Sequence, residues 1–178
     1  MRRRGGRFLL GAALGTGIAL SITSMHALPT RAFDPGTAEQ QLFNLTNQDR
    51  TSNGLGALVP DDRLFAIARS APNQVCGGAQ TFSGRAADMI QRGYFSHQIP
   101  PCNQYVWPVL DAYGVQYYSA GENIAWNNSP TTTSASDANI AFMNSPEHRA
   151  NILGPYRFVG TAWAVAANGY AYIAVEFG

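Results

Sequence analysis

Residues 158–177 read FVGTAWAVAANGYAYIAVEF. Two largely apolar runs, Phe158 to Ala166 and Tyr170 to Phe177, flank Asn168-Gly169, a pair suited to the positive φ angles of a tight hairpin turn. They are the clearest strand signal in the chain. Upstream, helical punctuation dominates, so the sequence reads as an α/β protein.

Working back from the hairpin, Ser145-Pro146 opens a helix and Asp137 to Met143 forms another, preceded by a Ser/Thr/Asn-rich loop over 127–136. Tyr117 to Trp126 reads as extended. A short helix spans Trp107 to Ala112 and stops at Gly114. Ser83 is placed to cap a helix from Arg85 to Arg92, which Gly93 terminates. Residues 72–82 read as a polar, glycine-containing loop carrying Cys76. Asp61 or Asp62 caps a helix through Leu64, Ile67 and Ala68 that Pro72 ends. Asp34-Pro35, an N-cap followed by proline at the first helical position, starts a helix running to about Ser52, with Gly54 closing it. No internal repeat or low-complexity tract interrupts the series.

The first 32 residues have a different character. Arg2, Arg3, Arg4 and Arg7 precede an uncharged apolar or small run from Phe8 to Ile22. That run is short and glycine-rich for a bilayer span but suits the core of a signal peptide. Thr30-Arg31-Ala32 places small residues at −3 and −1, so cleavage is expected after Ala32; an uncleaved N-terminal anchor is the alternative. The expected organisation is a leader over 1–32 and one domain over 33–178, exported and without a stable membrane span. Removing the leader leaves seven arginines against eleven acidic residues, a net charge of −4, in a chain with no lysine. With no basic stripe, nucleic acid is excluded as a partner. The remaining 146 residues suffice for one core. Cys76 and Cys102 are an even pair without a CxxC spacing, so a disulfide is expected in an oxidising compartment rather than a metal site. Closing that loop stabilises the fold by roughly 3–4 kcal/mol on a chain-entropy account.

Zincin, nucleophile-elbow, P-loop and dinucleotide motifs are all missing. Beyond the leader there are two histidines, and any imidazole chemistry must use them. His97 follows Gly93-Tyr94-Phe95-Ser96, and His148 lies in the first turn of the helix opened by Ser145-Pro146. Glu122 sits between aromatic and apolar neighbours. Each has a plain structural reading: a surface loop for His97, an exposed helix start for His148, and a strand-edge carboxylate for Glu122. Glu147 suits the first turn of its helix electrostatically. Spacings of about 25 residues form no local metal motif.

These segments also resemble the CAP superfamily (cysteine-rich secretory protein, antigen 5 and pathogenesis-related 1), in its bacterial SCP-like form. Asn47-x-x-Arg50-x-x-x-Gly54-Leu55-x-x-Leu58 is similar to its opening helix and turn. Gly93-Tyr94-Phe95-Ser96-His97, Ala120-Gly121-Glu122-Asn123-Ile124-Ala125 and Phe142-Met143-Asn144-Ser145-Pro146-Glu147-His148-Arg149-Ala150-Asn151-Ile152-Leu153 resemble three signature stretches. Val159-Gly160 and Phe177-Gly178 resemble its closing hairpin. The likeness covers roughly residues 40–178, in order.

The resemblance implies a three-layer α-β-α sandwich with a small, mainly antiparallel sheet. It also implies a central cleft, where His97, Glu122 and His148 match three of the family's two histidines and two glutamates. Asn123 lies beside Glu122, and Ser145 stands near the fourth position. Phe142 replaces a frequent tryptophan. Two imidazoles and a carboxylate could hold Zn2+ or another divalent cation with an open fourth position. The family reading favours a non-enzymatic ligand-binding or signalling module, its partner a small molecule, lipid, glycan or protein. The alternative is a metal-assisted, peptidase-like hydrolase in the same cleft. An aromatic set (Tyr94, Trp107, Tyr113, Tyr117, Tyr118, Trp126 and Trp163) either fills the core or lines a carbohydrate- or lipid-contacting groove. An exposed aromatic patch beside the histidines would favour the groove.

Overall fold

The computed structural model describes residues 33–69, 72–78 and 80–178; the expected leader lies outside the described residues. Helix α1, Pro35–Ser52, begins where the sequence placed it. Asp34 is extended and accepts a 2.8 Å hydrogen bond from the Thr37 amide. Ala38, Leu42, Thr46 and Arg50 recur every fourth residue and make the buried face. Strand β1 is the short Val59–Pro60. In α2, Asp62–Arg69, Asp61 is the cap, accepting from the amides of Arg63 and Leu64.

The expected loop over 72–82 is instead a hairpin. Strand β2, Pro72–Val75, pairs antiparallel with β3, Gln80–Ser83. Cys76, Gly77 and Gly78 all have positive φ at its turn. Because Ser83 is paired opposite Pro72, it cannot cap the next helix. Gly84, at φ 92°, occupies the cap position of α3, Arg85–Arg92, and the Ser83 hydroxyl bonds Gln91 at 2.5 Å. Gly93 closes α3 in the left-handed region, as expected.

Helix α4 is Trp107–Ala112. The extended run starts four residues later than expected, as β4, Gly121–Asn127. Before it, the Tyr117 hydroxyl donates to Asp111 at 2.8 Å and ties that segment to α4. Helix α5, Ser134–Asn144, starts inside the expected loop, where the buried Ser134 hydroxyl accepts from the Thr131 amide and from Asn127. Helix α6 is Pro146–Ile152. The C-terminal hairpin forms as β5, Phe158–Val165, and β6, Ala171–Phe177, with Gly169 at φ 84° in the turn.

The four-stranded sheet runs β1-β5-β6-β4, with β1 parallel to β5 and the other pairs antiparallel. Alternation along β6 sends Ile173, Val175 and Phe177 to one core, shared with Leu42, Phe142 and Ile152. Ala174 faces the other way, against Ala68, Ala86 and Met89. Helices α1, α5 and α6 therefore cover one face and α2 and α3 the other. The fold is the three-layer α/β sandwich expected, its sheet mainly antiparallel. Beside α4, a further cluster joins Leu64, Ile67 and Val75 to Ile99, Val106 and Leu110.

Candidate functional site: a His/Glu cleft at the sheet edge

Glu122 is the second residue of β4 and is buried, directly opposite Glu176 on β6. Strand alternation thus puts two carboxyls side by side under α3. The fully buried Arg85, first residue of α3, forms an ion pair with Glu122, reaching its second oxygen at 3.2 Å. Its remaining donors go to the Tyr94 hydroxyl, at 2.7 Å, and to the Ser96 carbonyl. Arg85 therefore fixes the loop that carries His97.

Burial pushes the Glu122 carboxyl up, but the charge of Arg85 and the hydrogen bond from His97 outweigh it and hold it below its usual range. Glu176 goes the other way. Burial, then the negative charge of Glu122, raises it well above a normal glutamate. Neither Glu176 oxygen has a donor directed at it. With Glu122 held ionised by Arg85, burial beside that charge favours the proton on Glu176. Burial also raises the Tyr94 phenol, whose hydroxyl donates to Asp88 at 2.6 Å.

The His97 Nδ1 lies 2.6 Å from Glu122 Oε1. A carboxylate only accepts, so Nδ1 carries the hydrogen and Nε2 is left for a ligand. The imidazole is about half-exposed, at 43%. The His148 ring centre is 6.3 Å from that of His97 and packs edge-on against Phe142 at 5.0 Å. Burial, followed by the proximity of His97, lowers the His148 pKa despite Glu147. The three residues singled out from the sequence thus come to one edge of the sheet.

Two other expected cleft residues do different work. Asn123 is fully buried, bonding the His148 carbonyl at 3.0 Å and Asn151 at 2.8 Å. Alternation along β4 turns it away from Glu122, and it anchors α6 instead of lining the cleft. The Ser145 hydroxyl bonds Glu147 at 3.2 Å, and the residue does not border the pocket. A Cβ at Gly121 would meet the Tyr156 hydroxyl at 2.6 Å and Asn151 at 2.9 Å, so both side-chain ends would have to shift to admit one.

The pocket has a volume of about 220 Å³, and its walls include His97, Tyr105, Trp107, Gly121, Glu122 and Asn151. Tyr105 and Trp107 stack nearly parallel, 11° apart with centroids at 6.1 Å. They follow a loop pinned at both ends: Cys76 is disulfide-bonded to Cys102, Gln104 accepts the Cys76 amide at 2.6 Å, and Ile99 bridges Gln104. Of the aromatic set read from the sequence, Trp163 is core, Trp107 borders the pocket, and Tyr118 and Trp126 are exposed.

A divalent cation fits this arrangement poorly. The two imidazoles offer nitrogen donors, but the Glu122 carboxylate is already neutralised by Arg85 and bonded to His97. Among the described residues, no group of three or more His, Cys, Asp or Glu side chains is placed to hold a metal ion.

Three site residues escaped the sequence reading. Glu176 had a signal, a lone charge inside an otherwise apolar strand. Arg85 had none, since a cation on a helix ordinarily reads as solvated, and nothing distinguished Tyr105 from other loop aromatics.

This architecture has known counterparts. The model of the CAP, or cysteine-rich secretory protein, family matches residues 43–177, and the chain belongs to that family. A protein of Bacillus subtilis named uncharacterized protein YkwD is 32% identical over 131 residues, covering 73% of this chain; the chain spans 44% of that relative's length. A solved extracellular protein containing an SCP domain from Bacillus anthracis is 25% identical with a TM-score of 0.58, over 80% of this chain and 40% of its own. An outer surface protein from Borrelia burgdorferi shares the fold at a TM-score of 0.64 and 15% identity, over 84% of this chain and 97% of its own.

Proposed function

We propose that the protein is an exported, non-catalytic binding module that takes a small ligand in the cleft between His97 and the Tyr105–Trp107 pair. The observation that carries this reading is the pocket itself: a stacked aromatic pair lining the same cavity as an imidazole whose other nitrogen is fixed by Glu122. A concave site with an apolar wall and a few oriented polar groups is what ligand sites share. Catalysis is disfavoured. Among the described residues neither imidazole is hydrogen-bonded to a serine, threonine or cysteine, and Glu122, locked to Arg85, is a poor general base. Export is supported by the leader-like residues 1–32, by the disulfide, and by the extracellular and outer-surface descriptions of the two structural relatives. Among the described residues, no helix is long and apolar enough to cross a membrane.

The test is an amide NMR titration of the intact, oxidised protein with a panel of neutral sugars, palmitate, short peptides and zinc, beside a casein-degradation assay. Shifts clustered at His97, Tyr105, Gly121 and Asn151 with at least one probe, and no casein cleavage, are expected. Cleavage abolished by His97→Ala would replace this reading with a hydrolase. A cleft silent to every probe would remove it.

A further inference from the structure

From the shape and charge of this cleft we infer that its ligand is a neutral saccharide, with one pyranose ring laid against the Tyr105–Trp107 wall and its hydroxyl edge toward His97. The inference rests on the binding-module reading and narrows it to a ligand class. Four observations converge on it.

Charge comes first. Arg85 is fully buried and spent on Glu122, so the cleft floor offers neither a free carboxylate for a cation nor an exposed guanidinium for a phosphate or carboxylate. An uncharged ligand loses least there.

The wall comes next. Tyr105 is 45% exposed and stacks nearly parallel on Trp107, and both residues border the pocket. The C–H face of a pyranose ring carries partial positive charge and matches the negative face of an aromatic ring. Its equatorial rim carries hydroxyls that both donate and accept. His97 answers that rim, because fixing Nδ1 on Glu122 leaves Nε2 to hydrogen-bond it at one defined place.

Size is the third observation. About 220 Å³ admits a single ring. An acyl chain needs a longer apolar tube, and an extended peptide gains most from a strand edge rather than a pocket. Rigidity is the last. The Cys76–Cys102 disulfide and the Gln104 hydrogen bond to Cys76 pin the loop leading into the aromatic wall. Little ordering entropy is then lost on binding.

The test titrates the intact, oxidised protein with neutral hexopyranose oligomers, including the N-acetylglucosamine tetramer, and follows amide shifts and tryptophan emission. Palmitate and a neutral tetrapeptide run in parallel. Expected is saturable binding by at least one oligomer, with shifts centred on His97, Tyr105 and Gly121. Tyr105→Ala should weaken it about tenfold while leaving the melting temperature unchanged. Trp126→Ala, which removes an exposed ring stacked on Tyr170 away from the cleft, should leave affinity unchanged. Cleft shifts from palmitate or the peptide but from no sugar would overturn the saccharide and keep the binding module. No cleft response to any probe would overturn both. Sugar binding undiminished in Tyr105→Ala and lost in Trp126→Ala would put the saccharide on the other surface and overturn the inference.

Discussion

Glu122 and Glu176 face one another across β4 and β6, and the Arg85 guanidinium balances the first of them. Burial next to that retained charge raises the Glu176 pKa and favours its protonated form. Its folded pKa lies above its unfolded one, so the stability it contributes is complete below the unfolded value and is lost as pH rises through the folded one. Glutamine keeps the shape and the donor without the proton, so Glu176→Gln should match the parent near pH 4 and melt about 3 °C higher near pH 7. Thermal melts at both pH values read this directly, and a lower melting point at pH 7 would mean that Glu176 is ionised and paired. Glu122 has the opposite sign: its depressed pKa contributes stability above the unfolded value that is lost as pH falls. At this scale the sequence was half legible. His97, Glu122 and His148 stood in recognisable motifs, and Glu176 betrayed itself as a charge in an apolar strand. Arg85 and Tyr105 acquire their roles from neighbours far off in the chain.

At the scale of the elements, α2 packs directly on β5 at Gly160. A Cβ on Gly160 would land on the backbone of Leu64 and Phe65, atoms that cannot swing aside as a side chain can. Gly160→Ala should therefore force α2 off the sheet and cost about 3 kcal/mol, measured by urea denaturation. A cost below about 1 kcal/mol would show that the helix shifts without loss. Most elements were legible from their ends, because caps and stops are local chemistry: Asp34-Pro35, Gly93, Gly114, Ser145-Pro146 and Gly169 all mark the boundaries expected. The hairpin of β2 and β3 was not. Its strands are short and polar, and their pairing follows from positive φ at Cys76, Gly77 and Gly78, which a cysteine does not advertise.

Across the whole molecule, Arg50 links distant parts of the chain. Buried at the end of α1, it donates to the carbonyls of Gly56 at 2.9 Å, Ile152 at 2.7 Å and Gly154 at 2.8 Å. It thereby holds the C-terminal end of α6, the helix that carries His148, against α1. Asn47, one turn earlier, clasps both backbone groups of Leu58 at 2.7 and 3.0 Å. The spacing of Asn47, Arg50, Gly54 and Leu58 thus has a mechanical basis. Arg50→Ala would strand these buried carbonyls, and a loss of about 3 kcal/mol is expected in chemical denaturation. The His148 ring resonances should shift as α6 loosens; unchanged stability and unchanged resonances would mean that water replaces the guanidinium.

By itself the sequence determined the order of the helices and of the last three strands, the final hairpin, most helix ends and the pairing of the two cysteines. These depend on residues close in the chain or on a choice with a single outcome. Its motifs also pointed to the family and to three residues that meet at one sheet edge, of which His97 and Glu122 line the pocket. The tertiary structure alone decided that Glu176 lies against Glu122, that Asn123 turns to the opposite face, and that Tyr105 and Trp107 line the same pocket as His97. Strand register and pocket walls are set by contacts between residues tens of positions apart, and no local pattern encodes which of them will meet.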